Sequence, residues 1–182
     1  MSATSAPATT TRRDAYLIAR GWVWLLNLGL LVYAGLPWLS PLLRQWGYER
    51  LGLWIANMYR TLCHQLAERS FFIGQYQVCY CHRCTALYTS LLAMSLIYTL
   101  GRWRHAIPWQ VALLFVLPMA IDGGWHLLDD ILPWALRSAD SAPGSINFWL
   151  RIVTGTLFGM GVVLWAYPRI QNELDRPLIQ NT

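Results

Sequence analysis

Four stretches of this chain carry almost no charge, and they constrain its fold more than any other feature. They are Trp22–Leu39, Thr85–Leu100, Ala106–Leu128 with Asp122 as its only charged residue, and Ile152–Pro168. About 20 predominantly apolar residues are needed for a helix to cross roughly 30 Å of hydrocarbon at about 1.5 Å per residue. Hydrocarbon offers no partner to a backbone N–H or C=O, so such segments must be helical. The expected fold class is all-α: an integral membrane bundle of four transmembrane helices. Two of the runs are short, 16 residues from Thr85 and 17 from Ile152. A full crossing must recruit Cys81, Arg83 and Cys84 upstream of the first and Asn147 and Arg151 upstream of the second. Both arginines then fall at the membrane edge or inside the bundle. Composition agrees: 55% of the 182 residues are hydrophobic and 13% charged, where soluble domains carry about a quarter charged residues. The 11 tryptophans gather near the segment ends, as interfacial residues do.

Around these segments, residues 1–20 read as a disordered Ser/Thr/Ala-rich tail, 21–168 as one membrane domain and 169–182 as a C-terminal tail. All 14 basic residues are arginine and the net charge is +5, but the arginines are scattered singly at segment ends. A basic stripe interleaved with aromatics is lacking, so nucleic acid is not an expected partner; lipid headgroups are. Arg12, Arg13, Arg20, Arg102, Arg104, Arg169 and Arg176 on one side outnumber Arg44, Arg50, Arg60, Arg69 and Arg137 on the other. The balance leans toward a multi-pass protein of the cell membrane with both termini cytoplasmic. The expected partners are the bilayer and other membrane subunits or further copies of the chain.

The longest connection, Ser40 to Cys84, is neither Gly/Ser-rich nor low in complexity, so it should fold. Leu51, Ile55, Met58, Tyr59 and Leu62 recur at helical spacing, which predicts an interfacial or re-entrant helix. That helix ends on Cys63, His64 and Gln65, and the turn around "GQYQ" returns the chain to "CYCHRC". Cys63 can thereby meet Cys81 and Cys84, which are three apart at a helix start, where thiolate is stabilised. Cys-x₂-Cys with one distant Cys suits zinc, with His64 as leading fourth ligand and Cys79, Asp122 and His126 as the other candidates. The same sulfurs suit a membrane thiol oxidoreductase exchanging electrons with a quinone. Covalent haem is disfavoured because Thr85, not His, follows Cys84; an iron–sulfur cluster on Cys63, Cys79, Cys81 and Cys84 fits by count.

Asp122 is expensive in hydrocarbon, about 2.5–3.5 kcal/mol on the mildest scale, and requires a partner. Arg83 and Arg151 are the natural counter-ions, and His126 lies one turn on. Arg151, Gly155 and Gly159 share one helix face, so the arginine face is also the face on which small residues allow close packing. A buried polar centre of Asp122, Arg151, Arg83 and His126 is expected beside the cysteines.

Taken in order, "CHQLAERSFF", "CHRCTALY", "AIDGG" and "RS" followed by "NFWLRIVTGTLFG" resemble the motif series of a family of small bacterial and archaeal membrane proteins known only as a domain of unknown function. The resemblance implies a polytopic fold and a residue set of Cys63, His64, Gln65, Arg69, Ser70, Cys81, Arg83, Cys84, Tyr88, Asp122, Gly123, Arg137, Ser138, Asn147, Arg151, Thr154 and Gly155, with no activity attached. Ala86 stands where the family tends to glycine, and Cys79 and His82 are additions to its pattern. Nucleotide, phosphate and hydrolase motifs are absent. Two functions stay open: a non-catalytic component stapled by metal that binds lipid, pigment or quinone or docks on a larger complex, and a membrane thiol–disulfide enzyme.

Overall fold

The computed structural model describes residues 12–131 and 141–180. Its helices are α1 (Arg12–Gln45), α2 (Glu49–Tyr59), α3 (His82–Gly101), α4 (Trp109–Ile131) and α5 (Ile146–Gln180). By length and composition, three are apolar enough to cross a membrane: Leu17–Gln45, His82–Gly101 and Ile146–Arg176. Among the described residues the apolar part of α4 is the shorter segment Trp109–Trp125. The all-α expectation needs correction. Ser70–Ile73 (β1) and Tyr76–Cys81 (β2) form an antiparallel hairpin joined at Gly74, whose φ of 60° only glycine adopts at no steric cost. Aromatic and β-branched residues in "SFFIGQYQVCYC" favour that pleated pairing over a coil.

Helix directions follow from who touches whom. Asn27 of α1 meets Ser95 and Thr99 of α3, while Tyr33, further along α1, meets Tyr88, earlier in α3, so the two helices are antiparallel. Between α3 and α5 the order is the same in both helices: a Cβ at Gly155 would come within 2.6 Å of the Arg83 carbonyl, one at Gly159 within 2.7 Å of the Leu87 carbonyl. Tyr98 and Tyr167 pack edge to face further along the same pair. These helices are therefore parallel, and they touch backbone to backbone only because positions 155 and 159 lack side chains. Helix α4 runs against α5, since Phe115 backs onto Gly161 and Ile107 onto Leu164. One rim of the bundle thus gathers the end of α1, α2, the hairpin and the starts of α3 and α5. The start of α1 and the ends of α3 and α5 share the other.

Two prolines shape how the segments are tied together. Pro37 has no N–H to give the carbonyl of Tyr33, which would be orphaned in an apolar setting. Tyr59 of α2 and Tyr80 of β2 both donate their hydroxyls to it, at 2.9 and 3.2 Å. Pro168 likewise frees the carbonyl of Leu164, which accepts from the N–H of Ile107 at 3.3 Å, and Arg169 donates to the Ile107 carbonyl at 3.1 Å. Within the bundle, the Asn27 amide donates to Thr99 at 2.7 Å and accepts from Ser95. Buried side-chain bonds of this kind fix the register of α1 against α3.

Three further differences from the expected layout have local causes. On α2 the buried residues are Gly52, Ile55 and Tyr59, while Leu51, Met58 and Leu62 are exposed. Gly52 lets the helix press on Ser40 and Arg44 of α1, and that contact sets its rotation. Helix α1 begins at Arg12, within the segment expected to be a tail, and residues 1–11 lie outside the described set. Past Pro168, α5 continues to Gln180. Gln171 holds that extension by bonding the Ala19 carbonyl, Trp22 and Asp175.

Candidate metal centre

The first rim carries the cysteines. Helix α2 ends with a 3-10-type bond from Arg60 to Asn57, which leaves the Ala56 carbonyl to be capped by the Gln65 amide at 2.8 Å. Gln65 itself has a φ of 51°, and the Gln77 amide of β2 holds its carbonyl at 2.6 Å. This sharp reversal turns Cys63 inward. Cys81 is the last residue of β2 and the N-cap of α3, and Cys84 lies on the first helical turn.

Those three elements bring the Sγ atoms of Cys63, Cys81 and Cys84 within 4.8 Å of one another. All are free thiols, and Cys63 is buried. The N–H of Cys81 donates to the Cys63 sulfur at 3.2 Å, a bond that favours sulfur carrying negative charge. The Cys63 and Cys84 thiols, which donate toward Cys81, hold its thiol well below the usual cysteine range against the opposing effect of burial. The same bond with Cys81 raises the Cys63 thiol, and burial adds to that rise. Tetrahedral zinc with sulfur ligands at about 2.3 Å requires sulfurs about 3.8 Å apart, so a small inward movement of three side chains closes such a site.

The other candidate ligands are placed differently. His64 lines the same cavity, yet its ring nitrogens fall outside the group of converging ligand atoms among the described residues. Cys79 packs into the apolar core beside Cys63, Tyr59 and Tyr80, where burial raises its thiol. Adjacent His82 is fully buried between the rings of Phe71 and Phe148. The side chain of His126, and Arg137 and Ser138, lie outside the described residues.

The polar centre adjoins the sulfurs. Asp122 is buried and forms an ion pair with Arg83, one residue before Cys84. A Cβ at Gly123 would approach the Arg83 guanidinium to 3.3 Å, so that glycine gives the arginine its room. Arg151, also buried, donates to Ser141. A cavity of about 290 Å³ connects these groups, lined by Cys63, Cys81, Cys84, Arg69, Arg83 and Arg151 together with Met119 and the segment from Leu62 to Leu66. Residue patterns marked Arg69 only through the family resemblance. Ser141 and Met119 were not anticipated, since a lone Ser and a lone Met carry no spacing signal. A second, apolar groove of about 530 Å³ runs along α3 and α5 past Trp38, Phe71, Ala86 and Met94.

The architecture defines a helical membrane protein with a thiol cluster and an arginine-bearing cavity at one rim. The chain belongs to the family described as predicted membrane protein DUF2085, whose model matches residues 63–165. Among curated proteins it is similar to an uncharacterized protein of Methanocaldococcus jannaschii, with 28% identity over 125 residues, 66% of this chain and 71% of that one. No solved structure matches it significantly.

Proposed function

We propose that Cys63, Cys81 and Cys84 bind one zinc ion, which staples the Ser40–Cys84 connection to the bundle of a non-catalytic membrane component. The observation that carries this reading is the convergence of three free sulfurs from a loop, a strand end and a helix start. Each element alone supplies at most two ligands, and a metal repays their assembly with binding energy that becomes folding energy. His64, on the wall of the same cavity, is the fourth ligand once its side chain turns inward. Alternation of helix directions supports four crossings with both termini on the rim away from the cysteines, α4 spanning about 34 Å over its 23 residues. The arginine balance then puts the termini in the cytoplasm. The apolar groove along α3 and α5 is the place for a lipophilic ligand such as a lipid, quinone or pigment, or for another membrane subunit.

Elemental analysis of purified protein tests the reading. About one zinc per chain is expected, lost in each of the Cys63→Ser, Cys81→Ser and Cys84→Ser variants and retained in Cys79→Ser. Metal-free protein with two thiols blocked until reductant is added would assign the sulfurs to thiol–disulfide exchange instead.

A further inference from the structure

We infer that the rim cavity binds an oxyanion of the phosphate class, held by Arg69 and Arg83 with Arg151 beside them. Two observations carry this. The Nε atoms of Arg69 and Arg83 are buried and meet no hydrogen-bond acceptor, although both side chains line one cavity of about 290 Å³. Buried guanidinium donors without acceptors are costly, and native proteins satisfy such groups. The cavity's described lining also includes Arg151 and contains no carboxylate; Asp122 stands behind Arg83, and Glu68, beside Arg69 at 3.9 Å, is two-thirds exposed. A planar guanidinium presents paired N–H groups that match the oxygens of phosphate, and clusters of arginine are the usual means of holding it.

Placement narrows the source of the oxyanion. Arg69 belongs to the short turn Ala67–Arg69 outside the membrane-spanning helices, Arg83 to the first turn of α3 and Arg151 to the second turn of α5. All three sit at the depth of a rim, where a phospholipid headgroup lies, and Leu62, Leu66 and Met119 give the cavity apolar wall as well. Free phosphate and a phosphodiester headgroup share the required chemistry.

The full-length protein is purified in dodecyl maltoside, a detergent without phosphate, and radiolabelled inorganic phosphate is titrated by equilibrium dialysis. In parallel, the thermal midpoint is compared before and after phosphatidylglycerol is added to the micelles. Saturable binding of one phosphate per chain identifies the free anion; a higher midpoint with the phospholipid, with no phosphate binding, identifies a headgroup. Either effect should weaken about tenfold or vanish in Arg69→Gln and recover in part in Arg69→Lys, which keeps the charge but not the paired donors. Arg69 lies outside the spans, so this variant leaves the bundle intact where Arg151→Gln endangers it. Absence of both effects overturns the inference, as does an effect unchanged in Arg69→Gln. The measurements are repeated on Cys81→Ser: binding retained there supports an arginine site, and binding lost there together with zinc shows an anion held by the metal and overturns it.

Discussion

The carbonyl of Tyr33 offers a sharp test of how the cysteine-bearing connection is fastened to the bundle. Pro37 removes its helical partner, and its two donors come from α2 and β2, the elements that lead into Cys63 and end on Cys81. Tyr59 is 4% exposed and Tyr80 1% exposed, so water cannot take their place. Removing one hydroxyl, in Tyr59→Phe or Tyr80→Phe, leaves the carbonyl one donor and should cost about 1 kcal/mol. Removing both orphans a buried carbonyl, which adds a desolvation penalty of about 1–3 kcal/mol. The double variant should therefore lose about 3–5 kcal/mol, more than the sum of the singles, with a coupling of at least about 1 kcal/mol. At about 2–4 °C per kcal/mol for a chain of this size, the midpoint falls by about 6–20 °C, readable from the fluorescence of the 11 tryptophans during heating. Pro37→Ala supplies the control, since it restores an N–H to the Tyr33 carbonyl and should abolish the coupling. Additive single effects, or a coupling of equal size in the Pro37→Ala background, would refute the assignment of these hydroxyls to the proline-freed carbonyl.

Other perturbations follow from the same structure. Asp122→Asn removes the carboxylate from a buried pair and should lower stability by about 3 kcal/mol, most of it recovered in Asp122→Asn/Arg83→Gln, because the unpaired guanidinium carries the cost; a double variant no better than Asp122→Asn in a thermal melt would contradict this. Gly159→Ala must push α5 off Ser90 and Leu87 and should destabilise by about 1–3 kcal/mol, while Gly124→Ala, with open space around its Cβ, should change stability little. Equal effects at the two glycines would remove the close α3–α5 approach from the explanation. Asn27→Leu should cost about 0.6–1.7 kcal/mol through loss of its bonds to Ser95 and Thr99, measured by the shift in midpoint.

Hydropathy alone located the apolar helices, because a segment in hydrocarbon must satisfy its own backbone and therefore announces itself as an uncharged run. The need of Asp122 for an arginine was legible for the same reason, and so was the nearness of Cys81 to Cys84, which is set by three residues of spacing. Tertiary structure decided what spacing does not encode. It chose Arg83 as an ion-pair partner of Asp122, because α3 and α5 run parallel, packed through Gly155 and Gly159, and Gly123 leaves room for the Arg83 guanidinium. The returning connection already led one to expect Cys63 beside Cys81 and Cys84; the means, the positive φ of Gln65 and a two-strand hairpin, depend on the capping of Ala56 and the reach of Gln77 rather than on any periodicity. Tertiary structure also brought Arg69 to the cavity that Arg83 and Arg151 line. Nothing in the chain around Arg69 announces that placement, since local pattern reports only neighbours within a few turns, whereas a shared cavity is made by the packing of whole helices.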